Sequence, residues 1–71
     1  MHIFWEDGFS IRVTDDGGAV VVSANPAGLR SLAGILHTLA EETSGSHIHL
    51  DENNSLEDGS TELILVRTDA P

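Results

Sequence analysis

Apolar and polar residues alternate along several short stretches of this chain. Residues 9–13, FSIRV, alternate as a half-buried strand does, which places Phe9, Ile11 and Val13 on one face. The Asp- and Gly-rich segment TDDGG that follows is a strong turn signal, and the β-branched run at 19–24, AVVVSA, predicts a second strand. We therefore expect these two strands to form a hairpin.

A longer segment, NPAGLRSLAGILHTLAEE at 25–42, has the spacing of an amphipathic helix. Asn25 is a good N-cap, and Pro26 suits the first helical position. At 100° per residue, one face collects six apolar residues, and these predict the buried side: Leu29, Leu32, Ala33, Leu36, Leu39 and Ala40. The predicted outward face has no charge at its centre and consists of Ser31, Gly34 and Thr38.

Two further strands are predicted after the helix, HIHL at 47–50 and TELILVR at 61–67. Ile48 and Leu50 are expected to point inward. Alternation then sends three polar side chains to the outer face: His47, His49 and Asp51. On the last strand it sends two apolar side chains outward, provided that Leu63 and Leu65 point inward: Ile64 and Val66.

The order ββαββ predicts an α+β fold, a two-layer sandwich in which one helix packs on a four-stranded, largely antiparallel sheet. Residues 1–71 form one small domain, and residues 68–71 are expected to be a frayed tail. One helix covers only one face of such a sheet. The other face would expose apolar side chains, which is typical of an interface.

The charge balance excludes several classes of function. The 71 residues include 12 acidic residues, three arginines and no lysine, which gives a net charge of −9. This argues against binding to nucleic acid or to an anionic membrane, because both need clustered cations. It suits a basic protein partner that is attracted over a distance. No secretory leader and no membrane span is recognisable, so we expect a cytoplasmic protein.

Residues 46–66, SHIHLDENNSLEDGSTELILV, hold the main candidates for site chemistry. His47, His49 and Asp51 share one strand face and are weak candidates for a divalent metal site, since same-face residues lie about 6.5–7 Å apart and seldom supply three ligands. The loop resembles a calcium-binding loop, but Leu56 stands where that motif needs glycine. No nucleophile elbow surrounds Ser46 or Ser60. We therefore predict no metal, no cofactor and no catalytic residues.

Four carboxylates lie close together in this loop: Asp51, Glu52, Glu57 and Asp58. They can form an ordinary solvated loop or an acidic patch for a basic partner. Leu56 is expected to fold back onto the core.

Three motifs carry a family resemblance. The helix reads L-x-x-L-A-x-x-L-x-x-L-A, followed by G-x-H-x-H-L-D and then L-E-x-G-S-x-E-L. Over residues 28–67 this pattern resembles the immunity protein 32 family of bacterial polymorphic toxin systems. The motif residues after the helix are His47, His49, Leu50, Asp51, Leu56, Glu57, Gly59, Ser60 and Glu62.

The resemblance implies a non-enzymatic protein that binds and neutralises a cognate toxin domain. The negative charge predicts that this toxin is basic, and the expected contact residues are those of the outer strand face and the acidic loop: His47, His49, Asp51, Glu52, Glu57, Asp58, Ile64 and Val66. The main alternative is a structural or regulatory protein that forms a homodimer through the open sheet face. The third hypothesis is that the chain is a metal-binding protein.

Overall fold

A computed structural model describes residues 1–69 of the chain. The elements are β1 (Ile11–Asp15), β2 (Val20–Ala24), α1 (Pro26–Ala40), β3 (His47–Leu50) and β4 (Leu63–Val66). The order ββαββ and the mixed α+β class are confirmed. Residues 70 and 71 of the predicted tail lie outside the described residues.

β1 and β2 form the predicted antiparallel hairpin, in which Ile11 pairs with Ala24 and Val13 with Val22. Ile11 and Val13 are fully buried, and they form the centre of the core with Leu50 and Leu56. Because paired residues lie on the same face of a sheet, Val22 points to the same side as Val13. Val22 is nevertheless 41% exposed, so the helix does not cover this end of β2.

Asn25 fixes the start of α1 against the first hairpin. Its Oδ1 accepts hydrogen bonds from the backbone N–H of Gly28 at 2.8 Å and of Ser10 at 3.0 Å, and its Nδ2 donates to the Gly8 carbonyl at 2.8 Å. The predicted N-cap is therefore confirmed, and the same side chain also ties the helix to the segment before β1.

The buried face of α1 differs from the predicted one. It consists of Gly28, Ser31, Ile35 and Leu39, whereas Leu29 and Leu36 are 54% and 53% exposed. At 3.6 residues per turn, the centre of the buried face lies about 100° around the helix from the predicted centre. The prediction was wrong because Gly28, which has no side chain, allows the helix to approach the first hairpin closely, and because Ser31 is buried through its hydrogen bond to the N-terminal segment.

The N-terminal segment contacts α1 at Ser31, on the flank that was expected to face outward, while Gly34 on the same flank is exposed. The Ser31 hydroxyl is buried, accepts from the Glu6 backbone N–H at 2.9 Å and donates to the Ala27 carbonyl at 2.8 Å. Arg30 donates two hydrogen bonds to the Glu6 carboxylate, at 2.7 and 2.8 Å. Through these hydrogen bonds Arg30 lowers the pKa of Glu6, and Glu6 raises the pKa of Arg30.

A single four-stranded sheet was predicted, and this prediction was wrong. Among residues 1–69, β1 pairs only with β2 and β3 only with β4, which gives two separate two-stranded antiparallel sheets. The connection between β3 and β4 explains the difference, because it occupies the second edge of β1. The N–H groups of Glu57 and Thr61 donate to the carbonyls of Ile11 and Val13, both at 2.8 Å. These bonds satisfy backbone groups that another strand would otherwise pair with.

Candidate protein-binding surface

The outer face of the β3–β4 hairpin places polar and apolar side chains side by side. His47 pairs with Val66 and His49 with Ile64, so all four residues lie on one face, as predicted. Ile64 and Val66 are 48% and 53% exposed, and both histidines are exposed. An exposed apolar centre with a polar surround is the usual composition of a protein–protein contact surface.

The two histidines are held by neighbouring groups. The Nδ1 atom of His49 lies 3.0 Å from the Oε2 atom of Glu62, whose carboxylate can accept the hydrogen bond. The Nδ1 atom of His47 lies 3.2 Å from the Gly45 carbonyl, which can accept from it. The two rings meet edge to face with centroids 5.2 Å apart. The motif residue Glu62 therefore belongs to this surface, although it was not among the predicted contact residues.

The acidic loop is built around a buried leucine. Leu56 is only 5% exposed and packs in the core with Ile11, Val13 and Leu50, which confirms that it folds back. The carbonyl of Asp51 accepts from the N–H groups of three following residues at 2.9–3.2 Å. Its Oδ1 accepts from the N–H of Asn53 at 2.9 Å. The loop is thus a tight turn with an apolar anchor rather than an unstructured connection.

Besides Asp51, two more of the four loop carboxylates have structural partners. Glu52 accepts from the Gly59 N–H at 2.8 Å, and Glu57 accepts from the Ser10 hydroxyl at 2.7 Å. Arg12 donates to the backbone carbonyl of Asp58 at 2.8 Å. The carboxylate of Asp58 itself has no hydrogen bond or ion pair among residues 1–69. Glu52 and Glu57 therefore position the loop, and Asp58 presents its charge to solvent.

The weak metal candidates do not assemble into a site. Within the described part of the chain, no group of three or more histidine, aspartate or glutamate side chains is arranged to hold a metal ion. His49 contacts Glu62, and Asp51 accepts a bond from the turn backbone. Two adjacent histidines give fewer ligands than the three or four that a zinc site needs.

A second surface was not predicted. A groove of about 450 Å³ opens between α1, β2 and β4. Its lining is almost entirely apolar: Val22, Leu29, Leu32, Ala33, Leu36, Leu63 and Leu65. Two sequence signals pointed to it. Three consecutive valines in β2 cannot all face one side, and the apolar residues of α1 span more of the helix circumference than one sheet can cover.

Comparison with known proteins gives one family. A family model described as immunity protein 32 matches residues 19–68, which include β2, α1, both strands of the second hairpin and the acidic loop. No curated protein and no solved structure matches the chain. Among residues 1–69, no helix combines the length and the apolar character that a membrane crossing requires.

Proposed function

This chain belongs to the immunity protein 32 family, and we propose that it binds a cognate bacterial toxin domain and neutralises it without catalysis. The observation that carries the proposal is the family match, which spans 50 of the 71 residues. Proteins of this kind are generally non-enzymatic. The family description names no toxin, so the chemistry of the partner is inferred from this chain's own surface.

We place the toxin contact on the outer face of the β3–β4 hairpin and on the adjoining acidic loop, residues 51–58. Ile64 and Val66 supply exposed apolar area at the centre, and His47, His49 and Glu62 surround it with polar groups. Apolar anchors within a polar rim are the arrangement in which a few residues provide most of the binding energy.

The negative charge of this surface predicts that the partner is positively charged. The loop that starts at the end of β3 carries Asp51, Glu52, Glu57 and Asp58, and the whole chain carries a net charge of −9. A basic toxin surface would be attracted to this side over distances of about 8–10 Å at moderate salt. Such steering raises the association rate more than it raises the affinity.

The test starts by capturing the partner from a lysate of the producing organism with a tagged chain and identifying it by mass spectrometry. The association rate of the purified pair is then measured for two charge-reversed variants, Asp58→Lys and Asp16→Lys. Both residues are exposed acids in turns, but only Asp58 lies in the proposed contact. We expect Asp58→Lys to slow association by about 10-fold at low salt and Asp16→Lys to change it little. Equal effects of the two variants would contradict the proposed location.

A cell-protection assay tests neutralisation itself. Cells that express the captured toxin domain should survive when the wild-type chain is co-expressed and should lose protection with Ile64→Arg/Val66→Arg, because two charges then replace the apolar centre. Protection that persists with this double variant would place the contact elsewhere. Death of cells that hold a stable complex would show that binding does not neutralise the toxin.

The second candidate function, a homodimeric structural or regulatory protein, is favoured by the same exposure of Ile64 and Val66. In that case the outer sheet faces of two copies would meet, and Ile64→Thr/Val66→Thr would abolish self-association while the captured partners contained no toxin domain. Self-association that survives this change would exclude dimerisation through the sheet face.

A further inference from the structure

We propose that the groove between α1, β2 and β4 binds a second copy of this chain. The protein then forms a symmetric dimer through its helices and not through the outer face of the β3–β4 hairpin. The proposal is independent of toxin binding. Its starting point is that Leu29 and Leu36, which are both about half exposed, line the apolar groove of about 450 Å³.

The spacing of the leucines along α1 suits a two-fold contact between two copies. Leu29 and Leu36 lie seven residues apart, so they project from the same side of α1 about 10 Å from each other. Ala33, which is small and exposed, lies between them. A two-fold axis near Ala33 would place the leucines of one copy in the groove of the other, and a small residue at the crossing allows helix axes to approach to about 8–10 Å.

The distribution of charge favours an uncharged, apolar surface as the binding partner of the groove. None of the 12 acidic residues falls within β2, α1 or β4, although these elements line the groove. The only arginine within them, Arg30, lies about 100° around the helix from Leu29 and is paired with Glu6. A groove built for a basic peptide would carry carboxylates on its rim. This one is matched instead by another surface free of acidic groups, which the second copy supplies.

Net charge opposes this association but does not prevent it. Each chain carries a charge of −9, which lies mainly in the loops and at the ends of the elements. Repulsion between charges more than about 8 Å apart is largely screened at physiological salt. The dimer should therefore become tighter as salt is added, whereas a complex between this acidic chain and a basic partner should become weaker.

Dimerisation would also increase the stability of such a small domain. A chain of this length buries only about 60% of its unfolded surface, so its own core gives a thin margin of stability. A standard interface covers roughly 800 Å² per partner, about one sixth of this chain's surface of 4695 Å². The groove and its exposed lining residues Val22, Leu29 and Leu36 provide an apolar centre for such a contact.

Sedimentation equilibrium of the purified chain over a range of concentrations and salt tests the proposal. We expect a dimer with a dissociation constant in about the micromolar range, tighter at roughly 1 M than at roughly 0.1 M salt. Leu29→Gln/Leu36→Gln should weaken it by about 100-fold or more. The matched control is Ile64→Thr/Val66→Thr, which changes two side chains of similar exposure on the outer sheet face and should leave the dimer intact.

A cross-linking experiment makes the result independent of any folding defect in the glutamine variant. The chain has no cysteine, so Ala33→Cys introduces a single thiol at the proposed axis and Val66→Cys a single thiol away from it. A short bis-maleimide should join Ala33→Cys chains into dimers and leave Val66→Cys chains monomeric. A wild-type chain that stays monomeric up to about millimolar concentration, loss of the dimer only in the sheet-face variant, or preferential cross-linking through position 66 would each overturn the proposal.

Discussion

Replacing two glycines of the same helix by alanine should change stability in opposite directions. Helix propensity alone favours both changes by about 1 kcal/mol, because alanine is the better helix former. At Gly34 a new Cβ atom meets no atom of the described residues within 4 Å, so Gly34→Ala should stabilise the fold by about that amount. At Gly28 the new Cβ atom would lie 2.5 Å from the backbone oxygen of Ser10 and 2.9 Å from the Ile11 side chain.

The contact at Gly28 cannot be relieved by rotating a side chain. The Ser10 carbonyl accepts from the N–H of Asn25 at 3.1 Å, so moving it away would disturb the cap that begins α1. Overpacking of this kind costs about 1–3 kcal/mol, and at a backbone contact the upper part of that range applies. After subtraction of the propensity gain, Gly28→Ala should destabilise the fold by about 1–2 kcal/mol.

Urea unfolding followed by circular dichroism and by Trp5 fluorescence measures both variants. With a slope of about 1 kcal/mol per molar urea, the midpoint should rise by about 1 M for Gly34→Ala and fall by about 1–2 M for Gly28→Ala. The two glycines share a helix and a substitution, so each is the control for the other. Stabilisation by both changes would show that α1 does not approach the first hairpin as closely as described.

Two other changes test the loop anchor and the N-terminal segment. Leu56→Ala should lower the free energy of unfolding by about 2–5 kcal/mol, since a buried core side chain is lost. Leu36→Ala, at a position 53% exposed, should lower it by under about 1 kcal/mol in dilute monomer. Equal urea midpoints for the two variants would contradict a buried Leu56. Arg30 lowers the pKa of Glu6 through its hydrogen bonds, so the stability from this pair is present above the ordinary glutamate pKa and is lost as pH falls through the lowered value. The difference in urea midpoint between wild type and Glu6→Gln should therefore be present at neutral pH and vanish in acid, and a difference that grows on acidification would refute the pairing.

Local signals in the sequence were sufficient for the elements. Asn25 and Pro26 located the start of α1, and β3 was predicted with its observed bounds. Alternation also gave the correct faces of β3 and β4, because each face of a strand is decided by neighbouring residues alone. The outer position of Ile64 and Val66 follows directly from this pattern.

Long-range pairing was not predictable from the same signals. Whether a strand or a loop occupies the second edge of β1 depends on hydrogen bonds between residues 46–48 positions apart. The orientation of α1 likewise depends on how closely its backbone approaches the hairpin. A count of apolar residues favours the side with Leu29 and Leu36, but Gly28 permits close packing on the hairpin and Ser31 hydrogen-bonds to the N-terminal segment. Because of these two errors, the single sheet and the wrong buried face of α1, the groove was not predicted. A continuous sheet under a helix in the predicted orientation would have filled it.

The β3–β4 hairpin separates the two proposed surfaces, because its inner residues Leu63 and Leu65 line the groove and its outer residues Ile64 and Val66 lie among the histidines. A toxin and a second copy of the chain would therefore not compete for the same side chains. The surfaces also differ in charge: the groove elements contain no acidic residue, while four carboxylates lie in the loop beside the outer face. Added salt should consequently strengthen the dimer and weaken toxin binding in the same solution. If both associations weakened in parallel, the groove could not be a purely apolar contact, and one acidic surface would have to serve both partners.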